Sequence, residues 1–432
     1  MNKYDIVVIG GGTAGCAAAY TAGILGFRTL LIEKNIHLGG SITSGLVVPA
    51  MNTGENKINT EFFDVLSDEL SAIGGQVTYQ GNKGWYNPEL TKVVLDKLMD
   101  KASVDVLLNT SISNALVDNN RIKELSTHNE ILSTYNYPIQ NVNKLLSEPI
   151  ETRYVIDATG NCEVANICGC EFLDESNSQQ PQSLRFIMGG VNINLFSKWL
   201  LNIDTDRNVT TVEHIDGSIH LSTAYTWDNN KKWALKPLFE KAVKDKVIED
   251  SDRNYFQIFT IPGMNDSIAF NCPRIPNIVN LEDTYELSKA IIEARKTIYR
   301  LSNFCRLYFP GFKNAYISNI ADSLGIRVSR RIKGKYVYTI DDLRKGKKFK
   351  NPVLISNYPV DIHSANKDKS TLESNGEYQL PVESLISKDI NNLFVAGRCI
   401  SADFMSQSAL RVQPNCFSMG EGIVKYIKTL ES

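Results

Sequence analysis

The opening of the chain alternates apolar runs with small residues, in a pattern typical of a strand–helix–strand unit. Residues 6–9 form a short β-branched apolar run, which predicts a strand buried on both faces of a parallel sheet. Small apolar residues and good helix formers occupy 16–25, and a second β-rich run follows at 29–32. The pattern therefore predicts two parallel strands joined by a helix.

Further along the chain, apolar residues recur at helical spacing in 59–73 and in 88–102. They predict two amphipathic helices that cover a sheet. Residues 104–108 predict a third parallel strand. From about 110 to 155 the pattern changes to short alternating runs with a turn signal at 118–120, which predicts an antiparallel meander inserted in that sheet.

Residues 175–320 differ in character from the rest of the chain. Their hydrophobic runs are interrupted and rich in β-formers, and helical patterns occur at 233–247 and 284–306. We interpret this region as a mixed α+β substrate domain. It is inserted into a doubly wound, Rossmann-like α/β domain formed by residues 1–174 and 321–432.

The turn after the first strand reads GGGTAG at residues 10–15, which fits the pattern G-x-G-x-x-G. In this pattern Gly10 permits the tight turn, Gly12 lets a pyrophosphate approach the backbone, and Gly15 lets the helix pack close to the strand. Glu33 follows 18 residues after Gly15, near the spacing of about 20 that is typical of a ribose-binding carboxylate. Together these features predict dinucleotide binding; a glycine-rich loop without a ligand is the alternative.

Composition narrows the class of protein. Lys and Arg number 46 and Asp and Glu number 48, which gives a net charge of −2 and no general electrostatic attraction to nucleic acid. We therefore expect no nucleic-acid partner. No apolar run is long enough for a membrane span, and the first strand begins too early for a signal peptide, so we expect a cytoplasmic protein.

The eight cysteines are scattered along the chain and form no C-x-x-C pair. We therefore predict no metal site and no disulfide-reductase chemistry. Most are expected to be buried, reduced and inert, and the alternative is a reactive thiol at Cys305, Cys399 or Cys416.

Candidate substrate-binding side chains lie in two polar segments. Five basic residues fall within 327–335, and a solvated basic loop is the alternative to an anion site there. Arg330 and Arg331 are our candidate anion anchors. His363 follows a proline turn and is our candidate acid or base, with a surface histidine as the alternative.

Several stretches occur in an order that resembles a known family. They read GGGTAG at 10–15, GGSITSG at 39–45, ATGNCEVA at 158–165, and NLFVAGRCISA and ALRVQPNC near the end of the chain. They resemble the FAD-dependent oxidoreductases of the glutathione-reductase superfamily, above all those related to fumarate-reductase flavoproteins and to the glucose-inhibited division protein group. The resemblance covers about 1–175 and 320–432, and it implies an FAD/NAD(P)-binding Rossmann-like sheet.

The resemblance also implies a role for each matching position. The residues that it places against the FAD pyrophosphate are Gly10, Gly12, Thr13, Ala14, Gly15, Gly397 and Arg398. Those that it places at the adenosine ribose, the adenine strand and the nucleotide cap are Glu33, Lys34, Ile112, Ala158, Thr159 and Gly160. Those that it places beside the flavin are Gly40, Ser41, Thr43, Arg411, Val412 and Gln413.

These features predict an FAD-dependent oxidoreductase that transfers a hydride between a small polar or anionic organic substrate and flavin N5. No second G-x-G-x-x-G follows a strand, so we expect no separate nicotinamide domain, and oxygen, quinone, a carrier protein or free NAD(P)H remain open as the electron partner. The alternatives are a redox-neutral flavoenzyme, a flavin-dependent RNA-modifying enzyme and a non-enzymatic flavin-binding protein.

Overall fold

The computed structural model describes residues 2–129, 149–174, 180–226, 233–275, 283–362 and 376–431. The strands are β1 (Asn2–Ile9), β2 (Thr29–Ile32), β3 (Gln76–Tyr79), β4 (Asn82–Tyr86), β5 (Asp105–Leu107), β6 (Ser111–Asp118), β7 (Arg121–His128), β8 (Ile150–Asp157), β9 (Phe186–Gly189), β10 (Thr210–Ile215), β11 (Ser218–Thr226), β12 (Tyr255–Ile261), β13 (Met264–Phe270), β14 (Tyr316–Ile320), β15 (Pro352–Ser356), β16 (Tyr378–Pro381) and β17 (Leu393–Val395). The α-helices are α1 (Thr13–Ile24), α2 (Glu61–Ala72), α3 (Pro88–Lys101), α4 (Glu163–Ile167), α5 (Ile193–Ile203), α6 (Lys236–Lys244), α7 (Thr284–Tyr308), α8 (Ile340–Arg344), α9 (Phe404–Leu410) and α10 (Gln413–Glu431).

The parallel part of the first sheet has the strand order β5-β2-β1-β8-β17. The side chains of Ile6 and Val8 pack into one hydrophobic cluster with α1 and α10, and those of Val7 and Ile9 pack into a second cluster on the other face. Burial on both faces explains why residues 6–9 of this strand are all apolar rather than apolar at alternate positions. The predicted α/β class with a Rossmann-like sheet is confirmed.

Strand β8 joins the parallel sheet to an antiparallel extension. Its first residues pair with β7, where Ile150 lies opposite Leu125, and β7 in turn pairs with β6. Its last residues pair with β17, where Val155 lies opposite Leu393. The carboxyl ends of β1, β2, β8 and β17 therefore meet at one edge of the sheet, where ligands of such folds bind.

A second sheet is antiparallel, with the order β10-β11-β12-β13-β9-β14. Aromatic rings fill its interior: the Phe186 and Phe270 rings stack 4.2 Å apart, and Phe239 lies 4.4 Å from Phe304 of α7. All of these strands lie within residues 175–320. The division of the chain into two domains at those limits stays a prediction.

The helix predicted at 233–247 is shorter in the structure, where α6 spans Lys236–Lys244. Helix α6 ends at Lys244 because the chain turns through a positive φ of 58° at Lys246. The last helix begins at Gln413, since Pro414 suits a first helical turn. Among the helices that the structure describes, none combines the length and the apolar character needed to cross a bilayer.

Candidate functional site

The turn at the carboxyl end of β1 packs too tightly for any residue but glycine at two positions. Gly10 has a φ of +94°, and a β-carbon there would lie 2.6 Å from Ala158 O. A β-carbon on Gly15 would lie 1.8 Å from Gly10 O. Gly15 therefore lets α1 pack directly against the turn, as the motif predicts.

Gly12 differs from Gly10 and Gly15, because the packing around it does not require glycine. Its φ of −76° suits any residue, and a β-carbon there would meet nothing within 4 Å. Neither backbone strain nor packing within the described protein therefore requires glycine, but a ligand that contacts the backbone would. The first turn of α1 also has no side-chain cap and no acidic residue, so its N–H groups suit an anion. The backbone of Gly12 and the free N–H groups in the first turn of α1 therefore suit a pyrophosphate.

The loop that contains Gly40 lies against this turn. Gly39 N–H donates to Gly11 O over 2.7 Å, and a β-carbon on Gly40 would lie 2.9 Å from the Gly12 α-carbon. The Ser41 and Thr13 hydroxyl oxygens lie 3.3 Å apart. The buried Thr43 hydroxyl donates to Leu38 O over 2.5 Å, and this hydrogen bond stabilises the loop that contains both residues.

Glu33, at the end of β2, is buried and tied to the glycine turn. Its Oε2 accepts from Gly11 N–H over 2.7 Å, and its Oε1 accepts from the backbone and side-chain nitrogens of Asn35. A carboxylate has about four acceptor positions, so one remains for a ribose hydroxyl. Lys34 is exposed and pairs with Glu163 over 3.2 Å.

The predicted adenine strand starts beside Glu33. Thr110 N–H donates to Glu33 O over 3.0 Å, immediately before β6 begins. Ile112 lies in β6, partly buried and opposite Thr127 of β7. The backbone of residues 111–113 therefore follows directly after the hydrogen bond to Glu33, the predicted ribose-binding residue.

We expect Glu33→Gln to weaken FAD binding by about tenfold, because hydrogen bonds to a charged acceptor contribute about 1.5–3 kcal/mol and the amide lacks the charge. Lys34→Gln is the matched control: it removes an exposed ion pair, which is worth little. Equilibrium titration of the two apoproteins with FAD measures the difference. Equal affinities would contradict the role of Glu33.

Asp157, at the end of β8, organises the second nucleotide loop. It is fully buried, and its Oδ1 accepts from the Thr159 amide and hydroxyl. Its Oδ2 accepts from the amides of Val164 and Ala165 at the start of α4. Burial raises the pKa of Asp157, and these hydrogen bonds lower it in part. The sequence analysis did not select this residue.

Arg398 covers the loop that Asp157 holds. A β-carbon on Gly160 would lie 3.0 Å from the Arg398 guanidinium carbon. The guanidinium donates to Asn161 Oδ1 over 2.8 Å, and burial lowers its pKa. Gly397 has a φ of +89°, and a β-carbon there would lie 3.9 Å from the Ala14 β-carbon of α1. The predicted pyrophosphate residues 10–15 and 397–398 and the predicted nucleotide-cap residues 158–160 thus meet at one sheet edge.

The turn between α9 and α10 holds the three residues that the resemblance places beside the flavin ring. Gln413 Nε2 donates to Val47 O over 2.7 Å, and Gln413 Oε1 accepts from the Tyr86 hydroxyl over 3.2 Å. Val412 is buried. Arg411 donates to Gln180 Oε1 over 3.2 Å and to Asp361 O over 3.1 Å.

Arg411 belongs to a group of arginines that the fold collects from four places in the chain. We call this group the arginine cluster: Arg185, Arg274, Arg327 and Arg411. Isolated β-bridges from Ser183 to Gly325 and to Arg274 hold three of the contributing segments together. The cluster adjoins the 411–413 turn because Arg411 belongs to both, and Arg411 and Arg327 donate to the neighbouring residues Gln180 and Pro181.

Two members of the cluster are deeply buried. Arg185 is 7% exposed and donates to Asn271 Oδ1, and Arg327 is 6% exposed and donates to Pro181 O, each over 2.5 Å. Burial, with repulsion from Arg411, lowers the pKa of Arg185 to about 10. Burial and the other three arginines hold the pKa of Arg327 well below its ordinary value.

The structure describes two of the three residues that the sequence predicts for catalysis. Arg331 is buried, and its Nη1 donates to Ala402 O over 2.9 Å. Arg330 is exposed, and its carbonyl accepts from the Cys162 thiol. His363 lies outside the described residues, so its role stays a prediction.

The cysteines form no disulfide, and Cys305, Cys399 and Cys416 are all buried. Burial raises the pKa of Cys416 to about 12 and that of Cys305 well above its ordinary value. Since the thiolate is the reactive form, these two thiols fit the expectation of inert, buried cysteines.

The sheet edge, the uncapped start of α1 and the acid at Glu33 form a site that suits a dinucleotide. The model of one protein family, described as FAD dependent oxidoreductase, matches residues 5–424. The chain belongs to this family. The cofactor that this membership indicates is FAD.

Two curated relatives match short parts of the chain. The vinyl phenol reductase of Lactiplantibacillus plantarum is 44% identical over 72 residues, which are 16% of this chain and 15% of that protein. The NADH oxidase of Thermoanaerobacter brockii is 43% identical over 75 residues, which are 17% of this chain and 11% of that protein. The matches thus span a small fraction of both relatives.

Solved structures are similar over nearly the whole chain but at low identity. A geranylgeranyl bacteriochlorophyll reductase-like protein from Thermoplasma acidophilum is 14% identical with a TM-score of 0.45, over 100% of this chain and 80% of that one. The GidA protein of Aquifex aeolicus is 12% identical with a TM-score of 0.45, over 98% and 62%. L-proline dehydrogenase from P. horikoshii is 11% identical with a TM-score of 0.43, over 99% and 94%.

Proposed function

We propose that this oxidoreductase transfers a hydride between FAD and a small anionic organic substrate. The observation that carries the proposal is the contact between the 411–413 turn and the arginine cluster. Arg411 belongs to both, and its partner Gln180 is followed in the chain by Pro181, whose carbonyl accepts from Arg327. The turn that would lie beside the flavin ring therefore borders a strongly positive interior.

The nucleotide-side residues bind and orient the cofactor. The N–H groups of the first turn of α1 would hold the pyrophosphate at Gly12, and Glu33 would accept from the ribose. The start of α10 would present its positive end to the ring through Val412 and Gln413. When bound, FAD supplies a two-electron centre that accepts or releases a hydride at N5.

The substrate-side residues would bind an anion and exclude water. Arg185, Arg327 and Arg411 can hold carboxylate oxygens through their planar N–H groups. Their burial strengthens that attraction, because the interior screens charge less than water does. In this proposal they take the anchoring role expected of Arg330 and Arg331. His363 stays our proposed acid or base.

The relation to fumarate-reductase flavoproteins and to the division-protein group is a further proposal, based on the order of the sequence motifs. The names of the curated relatives indicate reduction of an organic compound and oxidation of NADH. Both are compatible with this site. We propose that free NAD(P)H or another mobile carrier meets the flavin directly.

Anaerobic mixing of the FAD-loaded protein with a panel of small organic acids tests the proposal. We expect at least one acid to bleach the oxidised flavin, or to restore the colour of the reduced flavin, while neutral analogues do not. The flavin must first be shown to be reducible by dithionite. Full reducibility without a response to any acid in either direction would contradict the proposal.

A further inference from the structure

The arginine cluster places positive charges in the protein interior, where an uncompensated charge is destabilising. Moving a cation from water into a protein interior costs several kcal/mol unless an anion accompanies it. Neither Arg185 nor Arg327 forms an ion pair with a carboxylate of the described residues. Both donate instead to neutral oxygens.

The acidic side chain that does approach the cluster, within the described part of the chain, makes a loose contact. Asp361 Oδ2 lies 3.9 Å from Arg411 Nη2, and the Tyr358 hydroxyl donates to the same carboxylate over 3.4 Å. A close bidentate arginine–carboxylate pair has N–O distances of about 2.7–2.9 Å. Asp361 therefore compensates at most part of the charge.

Several buried polar atoms around the cluster have no hydrogen-bond partner among the described residues. They are Arg411 Nε, Gln182 Oε1 and Ser183 Oγ. Buried polar groups in folded proteins are nearly always satisfied. Gln182 Oε1 only accepts and Ser183 Oγ can donate or accept, whereas Arg411 Nε only donates.

The remaining wall of the site is polar and aromatic. The Arg274 guanidinium lies 3.7 Å from the centre of the Tyr255 ring. The Tyr255 hydroxyl donates to Gln257 Oε1 over 2.6 Å, and Gln257 also accepts from Asn271. Asn271 in turn accepts from Arg185, so this network fixes the direction in which that guanidinium points.

Arg185 and Arg327 are buried without a carboxylate partner among the described residues, Arg411 Nε has no hydrogen-bond partner there, and the Asp361 contact is loose. From these observations we infer that the arginine cluster binds a small organic dianion. The inference rests on the proposed function, which it makes specific: the substrate carries two negative charges, as a dicarboxylate or as a phosphorylated acid. The arginines orient it beside the 411–413 turn. A monoanion would leave one of the buried charges without a partner.

The test is ligand-dependent stabilisation of the FAD-loaded wild-type protein, measured by thermal unfolding at matched ionic strength. Succinate is expected to raise the unfolding temperature, and acetate is not. Inorganic phosphate serves as the third probe: a larger shift with phosphate than with succinate supports a phosphorylated ligand, and the reverse supports a dicarboxylate. Equal shifts with acetate and both dianions would overturn the inference.

Substitutions assign the effect to the cluster. Arg327→Gln and Arg185→Gln are expected to weaken binding of the effective dianion by about tenfold or more, as loss of one partner of a buried charge pair does. Arg295→Gln, an exposed arginine on α7, is the matched control and should bind as the wild type does. FAD content is measured in each variant from the visible spectrum.

The outcomes separate this inference from the proposed function. A purely structural role for Arg327 predicts a variant that is less stable without ligand yet keeps the full shift with the dianion. That result would overturn the inference. Wild-type protein that holds reducible FAD but gives no shift with succinate or phosphate would also overturn it, while leaving the FAD chemistry intact. Loss of FAD itself would instead contradict the proposed function.

Discussion

Gly12→Ala is expected to leave a folded protein that has lost tight FAD binding. The added β-carbon would meet no described protein atom within 4 Å, and the backbone φ of −76° suits alanine. The methyl group would instead occupy the approach of the pyrophosphate to the first turn of α1. We expect FAD affinity to fall about a hundredfold, or about 2.8 kcal/mol. The free energy of unfolding without FAD should change by about 1 kcal/mol or less, as an N-cap substitution does.

Gly15→Ala is the matched control for this experiment. Its β-carbon would lie 1.8 Å from Gly10 O, so α1 would have to move away from the turn. Overpacking typically costs about 1–3 kcal/mol, and a clash with backbone belongs at the upper end of that range. Urea unfolding without FAD, combined with FAD titration, separates the two. Similar loss of stability in both variants would show that Gly12 is a packing residue.

Asp157→Ala is expected to destabilise the protein by about 3–5 kcal/mol. The substitution leaves the buried amides of Thr159, Val164 and Ala165 without their acceptor, and each unsatisfied group costs about 1–3 kcal/mol. Because Asp157 also sets the position of residues 158–160, FAD binding should weaken as well. Urea unfolding and FAD titration measure the two effects.

Asp157→Asn keeps the size of the side chain and one acceptor oxygen. That oxygen can serve either Thr159 or the two amides of α4, but the new amide group donates and cannot serve the other set. We therefore expect roughly half of the loss seen with alanine. An alanine variant as stable as the asparagine variant would contradict this account of the loop.

The nucleotide half of the site could be predicted because its signals are local. The turn at 10–15 and Glu33 lie in one strand–helix–strand unit, in which spacing alone relates the glycines to the acid. Burial on both faces makes residues 6–9 of β1 continuously apolar, and this run identifies the strand in the sequence. The order of the later motifs then placed residues 158–160 and 397–398 at the same edge.

The arginine cluster, which we propose as the substrate side, could not be predicted because its parts are distant in the chain. Arg185, Arg274 and Arg411 stand alone in the sequence, whereas Arg330 and Arg331 lie in a dense basic run. Tertiary packing directs Arg331 to Ala402 O and places Arg327 of that run near the three isolated arginines. The role of Asp157 could not be predicted, because the sequence does not show which backbone amides a carboxylate at the end of a strand will bind.

A crystal structure of the FAD-loaded protein tests the central claim most directly. We expect the pyrophosphate oxygens within hydrogen-bond distance of the N–H groups in the first turn of α1, next to the Gly12 α-carbon. The flavin ring should lie against residues 411–413, with its substrate face open to Arg185 and Arg327. A pyrophosphate bound away from Gly12, or a ring that does not reach residues 411–413, would contradict the account.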